Sequence, residues 1–308
     1  MARPKTLRLV GHETDRRTLV LCGIASALVG CAYPSLLTSS NASNRAKLQT
    51  LELQANGRLG AYIFDTANGS GFGWRENERF NHASSFKMSL AAMILSNAEN
   101  GFIDLNEILR WTVDDLMFVS PVTTVNVDKG LSVRDLARAT LVTSDNTAAN
   151  ILLRRVGGPE QLTRFWRSLG DGFSRLDRYE PELNVTPPGT ELDTTTPFAM
   201  AHSTAKLIQG DALTADSQSV LRGWMAEVRT GRDRIRAGFP SGWVSGDKTG
   251  TGIGDHIHTY VDIAFGSPIG RPPIIVAAYF EPAALAEPID RRATAVLAKV
   301  GRIAAESI

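Results

Sequence analysis

The sequence predicts an α/β fold whose strands come from both ends of the chain and whose middle is helical. Segments typical of strands lie near residues 59–74 and again at 242–280. The segment from about Ser132 to Trp224 has helical periodicity instead. Because strands must pair with one another, we expect the two ends to form one α/β lobe and the middle an all-helical lobe.

The composition is that of a globular protein. Of the 308 residues, 43% are hydrophobic and 21% are charged, and a chain of this length buries roughly 75% of its unfolded surface. The 33 Lys and Arg residues nearly balance the 32 Asp and Glu residues, for a net charge of +1. This balance argues against a nucleic-acid partner and favours small molecules.

The first 31 residues have the pattern of a signal peptide. Arg16 and Arg17 precede an apolar stretch, Leu19 to Val29, which is too short for a transmembrane helix. The segment Leu28-Val29-Gly30-Cys31 resembles a lipoprotein cleavage box, which would place a lipid on Cys31. A plainly cleaved signal with an incidental Cys31 is the alternative. We expect a periplasmic or otherwise exported protein, with Sec and twin-arginine export both open.

The domain organisation follows from the rest of the chain. Cys22 and Cys31, the only two cysteines, lie in the signal segment, so the mature body has no pair to oxidise. The small and polar residues 32–44 are expected to form a tether. Residues 45–308 are expected to fold as one domain. Its α/β lobe would comprise about 45–80 plus 226–308, and its all-α lobe about 81–225.

The first elements are a helix, a hairpin and a second helix. Leu48 and Leu51 share one helical face within 45–54, and Asn68-Gly69 separates two strands at 59–64 and 72–74. The segment from Ser84 to Glu99 is apolar on most sides, which is typical of a helix buried in the middle of a molecule.

The later elements follow from the same periodicities. Helices are predicted at 133–142, 147–156, 160–169 and 197–208, followed by strands at 242–248, 259–265 and 273–280 and a closing helix at 289–305.

Ser84 and Lys87 stand three residues apart, so on a helix their side chains lie near one another. A neutral amine beside a serine hydroxyl can act as its general base. A serine at a helix N-terminus also has free backbone N–H groups nearby to stabilise an oxyanion. Ser203 and Lys206 have the same spacing, but they lie inside a predicted helix, and we interpret them as structural.

Two further motifs follow in order. Ser144-Asp145-Asn146 begins 60 residues after Ser84, and Lys248-Thr249-Gly250 begins a further 104 residues on. The three motifs together resemble the signature of class A β-lactamases and penicillin-binding proteins. The resemblance extends from about Arg45 to Ala305. It implies a serine β-lactamase/D,D-peptidase-like fold, in which an antiparallel sheet lobe packs on an all-helical lobe. It also implies β-lactam antibiotics as small-molecule partners, no cofactor and a monomer.

The segment Arg178-Tyr179-Glu180-Pro181-Glu182-Leu183-Asn184 resembles the omega loop of class A β-lactamases. The resemblance implies that Glu180 activates the hydrolytic water with Asn184 beside it, that Arg178 pairs with Asp193, and that the bond before Pro181 is cis. An acyl-enzyme that lasts an hour and one that turns over at ~10 s⁻¹ differ by about 6–7 kcal/mol of barrier. Such a difference in barrier needs a positioned base. The first alternative function is that of a penicillin-binding D,D-peptidase, which would lack this base and trap penicillin.

The resemblance also implies roles for the other motif residues. Ser84 would be the nucleophile, Ser144 would pass a proton to the departing nitrogen, and Asn146 would bind the side-chain amide of the drug. The acylation base, Lys87 or Glu180 through a water, stays open.

The remaining roles concern the carboxylate and the oxyanion of the substrate. Lys248 and Thr249, next to Gly250, would hold the carboxylate with help from Arg234. Arg232 and Arg236 are alternatives for that arginine. The backbone N–H groups of Ser84 and Thr251 would form the oxyanion hole.

Three positions depart from common family patterns. Ala83 replaces a cysteine that one group of carbapenemases uses for a disulfide, and Val119 replaces an aromatic residue at the entrance. The segment around Gly254 looks slightly longer than usual. All three leave open the preference among penicillins, cephalosporins and carbapenems.

The sequence has two further features that bear on function. Asp255, His256 and His258 have residue types suited to a metal, but we interpret the histidines as exposed loop residues and expect no metal. A silent binding protein on the same fold would need a broken catalytic role, and every catalytic side chain is present.

Overall fold

The computed structural model describes residues 33–286 and 290–308. The predicted signal peptide, with Cys22 and Cys31, lies outside the described residues. The helices are α1 (Tyr33–Ala55), α2 (Phe86–Glu99), α3 (Pro121–Thr124), α4 (Val133–Val142), α5 (Asn146–Arg155), α6 (Pro159–Ser168), α7 (Pro197–Ile208), α8 (Ala215–Glu227) and α9 (Arg291–Ala305). The strands are β1 (Gly57–Asp65), β2 (Ser70–Trp74), β3 (Phe80–Asn81), β4 (Ile108–Leu109), β5 (Leu131–Ser132), β6 (Thr194–Thr195), β7 (Val244–Ile253), β8 (His258–Ser267) and β9 (Ile274–Pro282).

One antiparallel sheet joins the two ends of the chain. Its strand order is β2-β1-β9-β8-β7, so that β1 pairs with β9 across the whole helical insert. Tyr62 lies opposite Ala277 in this pair. The predicted α/β architecture is therefore confirmed, and β2 and β7 are the two edge strands of the sheet.

Both faces of the sheet are covered, which explains why β8 and β9 are apolar along most of their length. On β8, Tyr260 and Ala264 face a core shared with α1 and α9. The alternate residues Val261, Ile263 and Phe265 face the helical lobe. Strand β7 pairs with β8 along its whole length, from Val244 opposite Ser267 to Ile253 opposite His258, and this ladder holds β7 and its motif in a fixed position.

Helix α2 lies at the centre of the helical lobe, as its sequence predicts. Ten of its residues, from Phe86 to Leu95, are buried, and it contacts α4, α5, α6 and α8. Helices α4 and α5 begin with side-chain caps, Ser132 accepting from the N–H of Asp135 and Asp145 from that of Ala148. Because these helices pack around α2, its first turn is held in a fixed position.

The structure adds three features to the sequence predictions. Residues 33–44, predicted as a tether, belong to helix α1, since Ala, Leu and Lys near its end favour a helix. Two short ladders, β3–β6 and β4–β5, lie at the margins of the helical lobe. Ser203 and Lys206 lie in α7, where Ser203 donates to Asp171 and Lys206 to the carbonyl of Leu169. Within residues 33–286 and 290–308, no helix has the length and hydropathy needed to cross a membrane.

Candidate active site

The nucleophile candidate lies on a short 3₁₀ turn, Ala83–Ser85, that leads into α2. Lys87 follows in the first turn of α2, with Nζ 3.0 Å from Ser84 Oγ. Ala83 has a φ of 42°, which is uncommon for a residue with a side chain. Its N–H donates to Asn81 Oδ1 at 2.6 Å. This contact helps to hold the strained backbone that presents Ser84.

Lys87 and Glu180 form a buried ion pair beside Ser84. Their side chains are completely inaccessible, and Lys87 Nζ lies 2.9 Å from Glu180 Oε1. Ser84 Oγ lies 3.5 Å from the same carboxylate oxygen. Lys87 Nζ also donates to the carbonyl of Ser144, at 3.0 Å, and to Asn146 Oδ1. In this ion pair the Lys87 ammonium only donates, so the Glu180 carboxylate is the acceptor near the serine proton, and Lys87 could accept that proton only as a neutral amine.

Asn150, which the sequence interpretation missed, positions Glu180 through its backbone. Its amide group accepts from Glu180 N at 3.0 Å and donates to Glu180 O at 2.9 Å. Asn150 stands four residues after Asn146 on α5, so the two share a helix face toward the site. This spacing is the signal that could have identified it.

The loop around Glu180 is fixed at several points. The Glu180-Pro181 bond is cis, Leu183 is fully buried, and Asn184 Nδ2 donates to Glu180 Oε2. Glu180 and Asn184 thus present neighbouring polar groups to the cleft.

Arg178 and Asp193 close the base of this loop. Arg178 Nε lies 2.6 Å from a carboxylate oxygen of the fully buried Asp193, and its Nη2 donates to Val185 O at 2.7 Å. Asp193 also accepts from the N–H groups of Asp177 and Arg178 at 2.7 and 3.1 Å. Buried charges are stabilised when they are paired and hydrogen-bonded in this way.

The second motif is held by Asp145. Its carboxylate accepts from the N–H groups of Val122, Thr123 and Ala148 at 2.9–3.0 Å. Ser144 adopts a φ of 58° just before it. This turn places Ser144 Oγ 3.4 Å from Lys87 Nζ and 3.1 Å from Lys248 Nζ. Ser144 therefore bridges the two lysines.

Lys248 on β7 is completely buried. Burial lowers its pKa to about 7, and the charge of Lys87 adds to this shift while Asp247 opposes it. Gly250 lies where β7 meets the nucleophile turn, and an added Cβ would lie 2.8 Å from His82 O and 3.0 Å from Ser84 N. Only glycine permits this approach, which brings the backbone of β7 next to Ser84.

Arg234 lies behind β7 with 6% of its surface exposed. Its Nη1 donates to the carbonyls of Gly250 and Val261, and its Nη2 donates to Thr251 Oγ1 at 2.8 Å. Arg236 instead pairs with Asp247 at 2.5 Å, and Arg232 is exposed. Of the three arginines, Arg234 is the one that lines the cleft.

These residues border one cleft of about 560 Å³, within the range of small-molecule sites. Lys87, Glu180 and Lys248 lie beneath its floor. Its rim carries the exposed side chains of Phe118 and Val119, with 62% and 55% of their surfaces accessible. The aromatic residue at the entrance is thus Phe118, one position before the valine identified from the sequence. The cleft is lined by Ser84, Phe118, Val119, Ser144, Asn146, Pro181, Asn184, Val185, Thr230, Asp233, Arg234, Thr249, Gly250, Thr251, Ile253 and Thr294.

The histidines after β7 are only partly as expected. Asp255 and His256 are exposed, but His258 opens β8 and is 6% exposed, so its prediction as an exposed loop residue was wrong. It pairs with Ile253 in the β7–β8 ladder, so it belongs to the sheet and not to the loop before it. The residues that the structure describes contain no cluster of His, Cys, Asp and Glu that could hold a metal ion.

Comparisons with known proteins agree with this geometry. A model of the β-lactamase enzyme family matches residues 44–308. An imipenem-hydrolyzing β-lactamase of Enterobacter cloacae is 43% identical over 80% of this chain and 84% of its own. β-Lactamase L2 of Stenotrophomonas maltophilia is 44% identical over 99% of this chain and 98% of its own.

The solved structure of an ancestral class A β-lactamase superposes with a TM-score of 0.81 at 43% identity, covering 86% of this chain and all of that one. Fold, site and similarity along nearly the whole chain therefore agree, and the protein belongs to the class A β-lactamase family.

Proposed function

We propose that the protein hydrolyses the β-lactam amide bond of penicillins and cephalosporins through an acyl-enzyme on Ser84, released by a water that Glu180 activates. The observation that carries this proposal is the position of Glu180. Its carboxylate lies within 3.5 Å of Ser84 Oγ, pairs with Lys87 and accepts from Asn184. A base held at this distance can serve a water that attacks an ester on Ser84.

In the acylation step, Ser84 Oγ forms a bond to the lactam carbonyl carbon and its proton passes to the Lys87–Glu180 pair. The carbonyl oxygen becomes an oxyanion, stabilised by the N–H groups of Ser84 and Thr251. The carbon–nitrogen bond then breaks, and the nitrogen takes a proton from Ser144. The proton that the Lys87–Glu180 pair took from Ser84 passes through Lys87 to Ser144, so the pair is again free to act as a base. Ser144 is suited to this relay because it lies 3.4 Å from Lys87 Nζ and 3.1 Å from Lys248 Nζ.

In the deacylation step, a water between Glu180 and Asn184 attacks the ester carbon. Glu180 takes a proton from that water, the bond between the ester carbon and Ser84 Oγ breaks, and the proton on Glu180 passes to Ser84 Oγ. The fixed backbone of Glu180, held by Asn150, keeps the carboxylate aligned for this step.

The carboxylate and side chain of the substrate would be bound at opposite sides of Ser84. Lys248 and Thr249 hold the carboxylate, Arg234 adds positive charge and fixes Thr251, and Asn146 binds the side-chain amide. The test of the whole proposal is the loss of lactam absorbance on adding penicillin and cephalosporin at large excess over protein. Loss of many equivalents per chain supports it, and loss of at most one equivalent contradicts it.

The buried Lys248 leads to a pH prediction. Because its pKa is lowered to about 7, the amine is charged below that pH and neutral above it. We therefore expect kcat/KM for benzylpenicillin to fall as the pH rises above about 7. Bound carboxylate favours the charged amine, so kcat should hold to higher pH. Lys248→Arg, whose guanidinium stays charged, should move the fall to higher pH. If kcat/KM falls at the same pH in the wild type and in Lys248→Arg, the fall belongs to another titrating group.

We further propose that the chain is exported to the periplasm as a monomer and anchored by a lipid on Cys31. The support is the charged and apolar segment with its cleavage box at residues 16–31. Cys31→Ala should release the enzyme from the membrane fraction of a bacterial host and remove the lipid mass from its mature N-terminus. A wild-type protein that is already soluble and unmodified would exclude the anchor.

A further inference from the structure

Thr230 lines the same cleft as Arg234 and Thr249. It belongs to the loop that follows α8, and its Oγ1 lies 2.7 Å from Thr249 Oγ1. Thr249 itself is 5% exposed, whereas Thr230 is exposed to solvent. Among the described residues, Thr230 is the only one whose hydroxyl lies within hydrogen-bonding distance of Thr249 Oγ1.

The loop that carries Thr230 is fixed from behind. Arg236 pairs with the buried Asp247 at 2.5 Å and donates to the carbonyls of Ala226 and Val228. Gly231 packs so closely on Asp247 that an added Cβ would lie 1.8 Å from the carboxylate. Thr230 is therefore presented to Thr249 from an anchored backbone.

The direction of the hydrogen bond follows from what Thr249 must do. A carboxylate only accepts hydrogen bonds, and a hydroxyl has one proton to donate. If Thr249 gives its proton to the substrate carboxylate, its oxygen can accept only from another donor. Lys248 Nζ donates to the backbone carbonyl of Thr249, which leaves Thr230 as the neighbouring hydroxyl at hydrogen-bonding distance.

We propose that Thr230 is a positioning residue for substrate recognition, whose hydroxyl donates to Thr249 and so holds Thr249 as the donor to the β-lactam carboxylate. This inference rests on the proposed function. A chain of two hydroxyls ending on a carboxylate is strengthened by mutual polarisation. Because Thr230 does not touch Ser84, Lys87 or Glu180, its contribution lies in binding and not in the bond-breaking steps.

The test compares Thr230→Val, which has nearly the same shape but no hydroxyl, with Thr230→Ser, which keeps the hydroxyl. For benzylpenicillin, Thr230→Val should raise KM about three- to tenfold, the loss typical of one hydrogen bond, and change kcat by less than about twofold. Thr230→Ser should behave like the wild type. Thr66→Val, a distant site whose hydroxyl donates to the carbonyl of Pro273, is the control and should leave KM unchanged.

Two further measurements separate positioning from a merely structural role. Adding Thr230→Val to Thr249→Val should cost nothing beyond Thr249→Val alone, because Thr230 acts through Thr249. With benzylpenicillin methyl ester, which lacks the carboxylate charge, Thr230→Val should lose nothing relative to the wild type.

An unchanged KM in Thr230→Val, an equal loss in Thr230→Ser, or additive losses in the double variant would each overturn the inference. Failure of the proposed function is seen elsewhere, as a wild-type protein that keeps one stable adduct. If the wild-type protein is acylated once and does not turn over, the second-order rate constants of acylation of the wild type and of Thr230→Val would still show whether Thr230 aids recognition.

Discussion

Replacing Glu180 by alanine is expected to trap the acyl-enzyme. Ser84 and Lys87, 3.0 Å apart, remain in place, so acylation by benzylpenicillin should stay measurable. Deacylation should slow by about 10²–10⁴-fold, the usual contribution of a general base. Rapid-quench kinetics would show a burst of one equivalent followed by very slow turnover, and the adduct would persist in the intact mass.

The matched control is Glu182→Ala, since Glu182 lies in the same loop but is exposed. It should keep the turnover of the wild type. Full turnover in Glu180→Ala would remove Glu180 from deacylation, and an equal defect in both variants would indicate general disruption of the loop.

Replacing Ser84 by alanine is expected to abolish both steps. Without Oγ no ester can form, and removal of an enzyme nucleophile typically costs about 10⁶-fold in kcat. Intact mass with benzylpenicillin should show no adduct. The control is Ser203→Ala. Ser203 also has a lysine three residues after it, but its hydroxyl donates to Asp171. The Ser203→Ala protein should still form the acyl-enzyme. An adduct on the Ser84→Ala protein would show that the nucleophile has been misassigned.

The fold could be predicted because its signals are local. The alternating and helical patterns place β8, β9, α4 and α7 within a residue or two of their observed bounds, since each strand or helix must present an apolar face to a shared core. The helical state of residues 33–44 could not be predicted from their own composition, because a short polar segment becomes helical when it continues a helix whose later turns are packed.

The motif residues could be found from the sequence, but their connections could not. Nothing in the spacing of Ser84, Ser144 and Lys248 shows that Ser144 lies between two lysines. Gly231 packs on Asp247, and the Thr230 hydroxyl lies beside that of Thr249. These contacts join segments that are distant in the sequence, so no local pattern predicts them. His258 was misjudged because the sequence does not show that β8 begins at this residue, opposite Ile253.

The most direct test of hydrolysis through Ser84 and Glu180 is the intact mass of the purified wild-type protein, followed with time after adding excess benzylpenicillin. We expect the substrate to be consumed over many turnovers while the adduct on Ser84 is brief and the free mass returns. One stable adduct per chain, with no further loss of lactam, would instead identify a penicillin-binding protein and contradict the role of Glu180.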